Sequence, residues 1–368
     1  MTDWLKIWIS SGWMLISVSL TAGTYYVAPN ARQDSSGVDQ AHPMPLAEAL
    51  RAVSSAAGGE VVLAGGVYFF AGTDEPFRPA GDVTIRGIEE AYPVLDGCDL
   101  ADCLDVEVKK RLSVTHVTFT RGARHGLSKA GPGELVLHDC VFIANATRSQ
   151  SSGRGLFASG GVLRMNKCSF EHNALGVNIK HLDAGAVSLV KCQTYVENCR
   201  FERNGYVGYG EWYGVSSILA DSSALAVRDA VFVDNRSKLG HNGGAHVCLR
   251  GHVSGSSFTN CVFAGNVSEG GKSALSGALV FNSTWDPKGW CEVVNCTFSN
   301  NVNQAKDAAA GLTVPRGQVR AVGCVFAGSV GADISVASKD SVVVVKGCSF
   351  DRSDSEAFSS PVGEIRRE

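Results

Sequence analysis

From residue 139 to residue 353 the chain repeats one arrangement of apolar and polar positions. DCVFIAN (139–145) returns as KCSFEHN (167–173), NCRFERN (198–204), DAVFVDN (229–235), NCVFAGN (260–266), NCTFSNN (295–301), GCVFAGS (323–329) and GCSFDRS (347–353). Cysteine and phenylalanine stand two apart around a variable residue, the period of a strand with one buried face. An alternating run precedes each cysteine, as in ELVLHD (134–139), ALAVRD (224–229) and CEVVN (291–295). A third run opens on glycine: GLFAS (155–159), GVNIK (176–180), GVSSI (214–218), GAHVC (244–248), GALVF (277–281) and GLTVP (311–315). Each repeat therefore predicts three short strands.

The cysteine column runs 140, 168, 199, 261, 296, 324 and 348, with Ala230 in its one missing place, and its members step by 24 to 35 residues. A fixed period of this kind marks a solenoid. Three strands per turn specify an all-β fold, a single-stranded right-handed parallel β-helix of about 9–11 coils. Equivalent residues of adjacent coils then stack about 4.8 Å apart. Before the cysteine stand Asp139, Lys167, Asn198, Asp229, Asn260, Asn295, Gly323 and Gly347. All but the lysine are types that tolerate left-handed backbone, so a one-residue bend is expected there. Asn145, Asn173, Asn204, Asn235, Asn266 and Asn301 close the C-x-F strand and form an internal amide row.

Composition adds limits. The chain has 368 residues, a formal charge of −3 and 45% hydrophobic residues, enough for one large core and too little charge to imply a nucleic-acid partner. The start, MTDWLKIWISSGWMLISVSLTAG, has one lysine before an apolar run that is short for a membrane span. Residues 1–22 read as a signal peptide or hydrophobic anchor, with no other membrane contact, and the protein as secreted or cell-surface. Residues 23–59 form a cap segment with a short N-terminal helix, 60–352 the β-helix and 353–368 a C-terminal tail. Twelve cysteines in an exported chain suggest disulfides. Seven occupy one inward column, however, where a thiol acts as a small hydrophobe. Of the remaining five, Cys98 and Cys103 form the bridge expected, ahead of Cys291–Cys296, whose second member belongs to the column. No C-x-x-C pair points to zinc.

The opening residues carry a resemblance. TYYVAPNARQDSSG (24–37), PLAEALRAVSSAAGGEVVLAGGVYFF (45–70) and VTIRG…PVLDG (83–97) resemble the start of pectin-lyase-like right-handed β-helices. The resemblance implies a capping helix whose apolar face, Leu46, Ala49, Leu50 and Val53, covers the open end of the first coil. The superfamily spans lyases, polygalacturonases, epimerases, tailspikes and adhesins, so it implies a fold and leaves activity open.

Polygalacturonase-type hydrolysis needs paired carboxylates, and the chain has no Asp-Asp dipeptide. The positions expected to point outward from the glycine-led strands are Ser128, Phe157, Asn178, Lys180, Ser216, His246, Leu279 and Thr313. None is acidic, so no cofactor is expected, and calcium, which takes several oxygens, lacks support. β-Elimination on a uronic acid needs a cation against the carboxylate and a base for the proton α to it. Arg154 or Lys180 would supply the cation, and His246 or Lys180 the base. NGYVGYGEWYG (204–214) offers Tyr206, Tyr209, Trp212 and Tyr213 beside Glu211, rings suited to stacking on sugars. Asn178, His181 and His241 complete the expected binding set. The sequence thus points to a polysaccharide partner, an acidic one bound and cleaved by β-elimination. The alternative is a non-enzymatic structural or adhesive rod. Oligomeric state is not legible.

Overall fold

The computed structural model describes residues 5–9, 12–16, 23–56, 58–69, 76–88, 91–145, 154–173, 185–207, 214–238, 244–269, 276–305, 308–359 and 363–368. The C-x-F strands stack in register: Phe142 pairs with Phe119 of the coil before and Phe170 of the coil after. Eleven such strands, from Val67–Phe69 to Ser349–Phe350, form the phenylalanine sheet. The alternating runs form a second sheet of thirteen strands and the glycine-led runs a third of ten. Each coil visits the three sheets in turn, and within each of them neighbouring strands are parallel and one coil apart. This is the parallel β-helix that the repeat predicts.

The interior is built of ladders. Nine phenyl rings, Phe119 to Phe350, stack with centroids 4.7–5.0 Å apart and planes within 9°. The asparagine row is buried and bonded coil to coil. Asn204 Oδ1 accepts from the Asn173 backbone N–H at 3.0 Å and from Asn173 Nδ2 at 3.1 Å, while Asn204 Nδ2 donates to the Phe170 carbonyl at 2.7 Å. Buried amides cost little when every lone pair and proton is used. Two glycines keep the row's space open. A Cβ on Gly126 would come within 3.0 Å of the Asn145 side chain, and one on Gly155 within 3.1 Å of Asn173.

Left-handed bends flank the C-x-F strand on both sides. The expected column includes Asp139, Lys167, Asn198, Asp229, Asn260 and Asn295, all with φ between 49° and 54°. A second column, Ala144, His172, Arg203, Asp234 and Asn300, precedes the asparagine row with φ of 50–53°. The expected disulfides are absent, and all twelve thiols are free. The Cys103 Sγ–H points at the Thr120 carbonyl, 3.0 Å away, while the Cys98 Sγ–H points at the Asp96 carbonyl, 3.9 Å away. Cys291 and Cys296 are both buried in the core.

The ends are closed. Helix Leu46–Ser55 buries Leu46, Ala49, Leu50 and Val53 over the first coil, as the resemblance implies. Beyond residue 352, Phe358–Ser359 and Glu364–Arg367 add last strands to the glycine-led and alternating sheets. Residues Leu5–Ile9 and Gly12–Ile16 pair as antiparallel strands, and no helix among the described residues is long and apolar enough to cross a membrane.

One region departs from the plain coil. Gly205–Val207, Arg236–Lys238, Val267–Glu269 and Val302–Asn303 make a short fourth sheet just after the asparagine row. The glycine-led strands opposite lengthen to meet it. Ser237 Oγ donates to the Gly214 carbonyl at 3.2 Å and Ser268 Oγ to that of Gly244 at 2.6 Å. Irregular pairing at Val215/Ile218, Val280/Asn282 and Ala309/Leu312 accompanies the extra length.

Candidate functional site

Those irregularities change which glycine-led residues face outward. Phe157 pairs with Ser188, and the row continues through Leu219, Cys248, Val280 and Thr313. Leu279 instead belongs to the inward row with Val247 and Leu312. In the coil where GVNIK was expected, the pairing strand is Val187–Val190. Asn178, Lys180, His181, Tyr209, Glu211, Trp212, Tyr213 and His241 lie outside the described residues. Tyr206 sits on the first strand of the fourth sheet.

The expected outward, basic role of His246 is corrected. Its side chain is buried between the glycine-led and fourth sheets, with 1% of the residue exposed. Nδ1 lies 2.7 Å from Ser216 Oγ and Nε2 lies 3.2 Å from Ser268 Oγ. Because Ser268 spends its proton on the Gly244 carbonyl, Nε2 must donate and Nδ1 must accept from Ser216. Burial pushes its pKa down to about 3. His246 is a neutral structural link with no free lone pair.

Arg154 opens its glycine-led strand beside two residues that carried no signal in the sequence. Asp102 Oδ1 accepts from the backbone N–H groups of Arg124 and His125 at 2.8 and 2.9 Å, and Oδ2 accepts from His125 Nδ1 at 2.9 Å. His125 Nε2 faces Arg154 Nη1 at 3.4 Å, and the guanidinium lies 4.9 Å from the Phe157 ring. Burial works against the Asp102 charge, but the bond to His125 and the two backbone amides win and hold its pKa at about 2. The result is a carboxylate-oriented imidazole next to a cation.

A concave feature lies on another face. On the outer side of the alternating sheet, the column Arg164, Tyr195, Ala226, Ser257, Glu292 crosses five coils. Small residues at Ala226 and Ser257 leave a shallow groove of about 200 Å³, bounded by Tyr195, Glu197, Arg228 and Thr259. Arg164 stacks 4.3 Å over the Tyr195 ring and is neutralised by Glu134 at 2.7 Å. Asn166 Nδ2 holds Glu197 at 3.2 Å. Arg228 is exposed and forms no ion pair among the described residues. Trp290, 42% exposed, stands on the same face three coils beyond Tyr195, about 14 Å at the usual strand spacing. The only sequence signal for this groove is an aromatic followed by Ala and Ser at one outward position of successive coils. No group of three or more potential ligands could hold a metal ion among the described residues.

Residues 102–284 match the family model described as a right-handed β-helix region, so the pectin-lyase-like resemblance holds at the level of the fold. No curated protein matches the chain. Among solved structures, pectate lyase Pel9A is 14% identical, with 87% of this chain and 78% of that one covered and a TM-score of 0.48. The catalytic unit of a thermostable GH87 α-1,3-glucanase from Streptomyces thermodiastaticus is 14% identical, with 95% and 71% covered and a TM-score of 0.39. Tailspike protein 3 of bacteriophage CBA120 is 12% identical, with 99% and 59% covered and a TM-score of 0.41. These likenesses assign no activity.

Proposed function

We propose that this right-handed β-helix binds an acidic polysaccharide along the outer face of its alternating sheet, outside the cell or at its surface. The groove between Tyr195 and Arg228 carries the reading. Tyr195, half-buried under the Arg164 guanidinium, still lines the groove with ring surface and a polar edge that suit a sugar. The Arg228 guanidinium, without an ion pair among the described residues, offers a carboxylate or sulfate two parallel hydrogen bonds. The floor of Ala226 and Ser257 lets the ligand approach the strands.

Cleavage by β-elimination would be a further activity, placed away from this groove at the Arg154–His125 cluster of the glycine-led sheet. It needs a base and a carboxylate-neutralising cation within reach of one sugar. The sealed, neutral state of His246 removes it from that role, and Arg154 stands beside His125, so His125 becomes the base to test. A second reading, a non-catalytic rod, is favoured by the unbroken ring stack.

The test is a panel of pectate, alginate, hyaluronan, chondroitin sulfate and heparan sulfate, with equilibrium binding and ultraviolet absorbance of unsaturated uronate followed together. The reading expects saturable binding of at least one polymer, weakened about tenfold or more in Arg228→Ala. An absorbance rise abolished by His125→Asn would add the lyase step. Absence of binding to every polymer would discard the polysaccharide reading in favour of the rod.

A further inference from the structure

The thiol column is a ladder of reduced cysteines held at strand spacing. Parallel neighbours place Cα atoms about 4.8 Å apart, inside the span of roughly 4.4–6.8 Å that a disulfide bridges. Ala230 divides the column into Cys140, Cys168 and Cys199 on one side and Cys261, Cys296, Cys324 and Cys348 on the other. In the second block the sulfurs contact the neighbouring coils: the Cys261 N–H donates to Cys296 Sγ at 3.4 Å and the Cys324 N–H to Cys348 Sγ at 3.3 Å.

Access differs sharply along the column. Cys140, Cys168, Cys199, Cys261, Cys296 and Cys324 are 0–2% exposed, whereas Cys348, on the last coil, is only partly buried. Beside it Phe350 is also partly buried, because the ladder runs out of covering coils there. Val325 and Ser349 pair in register, so Cys324 and Cys348 occupy matching places one residue earlier. The neighbouring sulfurs of Cys296 and Cys348 pull the Cys324 thiol below the ordinary range, and the same contact pushes Cys348 up.

We infer that the column is an oxidisable staple that closes first at its C-terminal end, between Cys324 and Cys348. With a low-molecular-weight disulfide as oxidant, Cys348, the most accessible thiol of the column, gives up its proton to solvent and attacks one sulfur of the reagent, releasing one thiol. The Cys324 thiolate then attacks Cys348 Sγ in that mixed disulfide and releases the second. Two protein thiols are oxidised by the loss of two electrons and two protons, and one reagent disulfide is reduced to two thiols. The new bond ties the last coil to the one before it, where the ring stack is least covered.

The reduced full chain, incubated with oxidised glutathione, alkylated and digested without reductant, gives the test by mass spectrometry. The earliest linked peptide is expected to join Cys324 to Cys348, with two free thiols lost per chain and a raised melting temperature. Cys348→Ser abolishes that link and Cys98→Ser leaves it unchanged. The inference is overturned if Cys348 stops at the glutathione adduct, if Cys98–Cys103 links first, or if the only links join separate chains. The wild-type map decides even if a variant folds poorly.

Discussion

The two sides of the same four strands, 193–197, 224–228, 256–259 and 290–294, follow different rules. Inward, Val196, Val227, Phe258 and Val293 are all apolar and at most 2% exposed. Outward at the preceding position stand Tyr195, Ala226, Ser257 and Glu292, four different chemistries in four coils. An interior residue must pack against the residues above and below it, so it stays apolar there or, like Ser256, spends its hydroxyl on a backbone partner. An outward residue has no close-packed column to match and meets solvent or a few side chains of the next coil, as Tyr195 meets Arg164. Where the repeat holds, the residues carry stability, and where it lapses on an open face, recognition has room.

Variants can break this division, and the largest effect is expected at Asn204. Asn204→Ala removes the acceptor of the Asn173 N–H and Nδ2 and the donor to the Phe170 carbonyl. Each buried group left without a partner costs about 1–3 kcal/mol, so denaturant unfolding is expected to show a loss larger than at any single apolar site. Phe201→Ala comes next. It opens a gap between Phe170 and Phe232, whose rings stack on it at 4.9 and 4.8 Å, with a loss of about 3–5 kcal/mol and no change in ligand affinity.

Acid sharpens the comparison at two buried titrating groups. The unfolded chain takes up a proton on His246 below its ordinary value of 6.5, while the folded chain refuses it until about 3. Stability from this group is complete above pH 6.5 and falls across that window as pH drops, by about 1.4 kcal/mol per pH unit. Asp333 acts in the opposite sense. Burial raises its pKa from 3.8 to about 6, so the folded chain holds a proton that the unfolded chain releases, and stability from it rises as pH falls from 6 towards 3.8. Melting curves of His246→Asn should show a shallower acid limb than the wild type, and those of Asp333→Asn a steeper one.

The interior was legible from residues alone because every coil restates it. The C-x-F strands, the asparagine row and the first bend column all recur at fixed places. The second bend column was harder to read, since Ala144 and Arg203, with no preference for positive φ, interrupt a row of His172, Asp234, Gly265, Asn300 and Gly328. The glycine-led strands misled for a geometric reason. In the longer strands the pairing is irregular; a shift of one residue exchanges the two faces and turns Leu279 inward, while His246 lies in the irregular stretch and is covered by the fourth sheet. Arg154 could be read as a cation, but its partners Asp102 and His125 come from earlier coils, with no shared motif to join them.

The most direct test pairs one variant from each side of the sheet, Tyr195→Ala and Phe201→Ala, and measures polysaccharide affinity and unfolding free energy for both. Tyr195→Ala is expected to weaken binding about tenfold, equivalent to about 1.4 kcal/mol, with stability within about 0.5 kcal/mol of the wild type. Phe201→Ala is expected to do the reverse under conditions where it remains folded. Full affinity in Tyr195→Ala, for a polymer that the wild type binds, would contradict the assignment of recognition to the outer face of the alternating sheet.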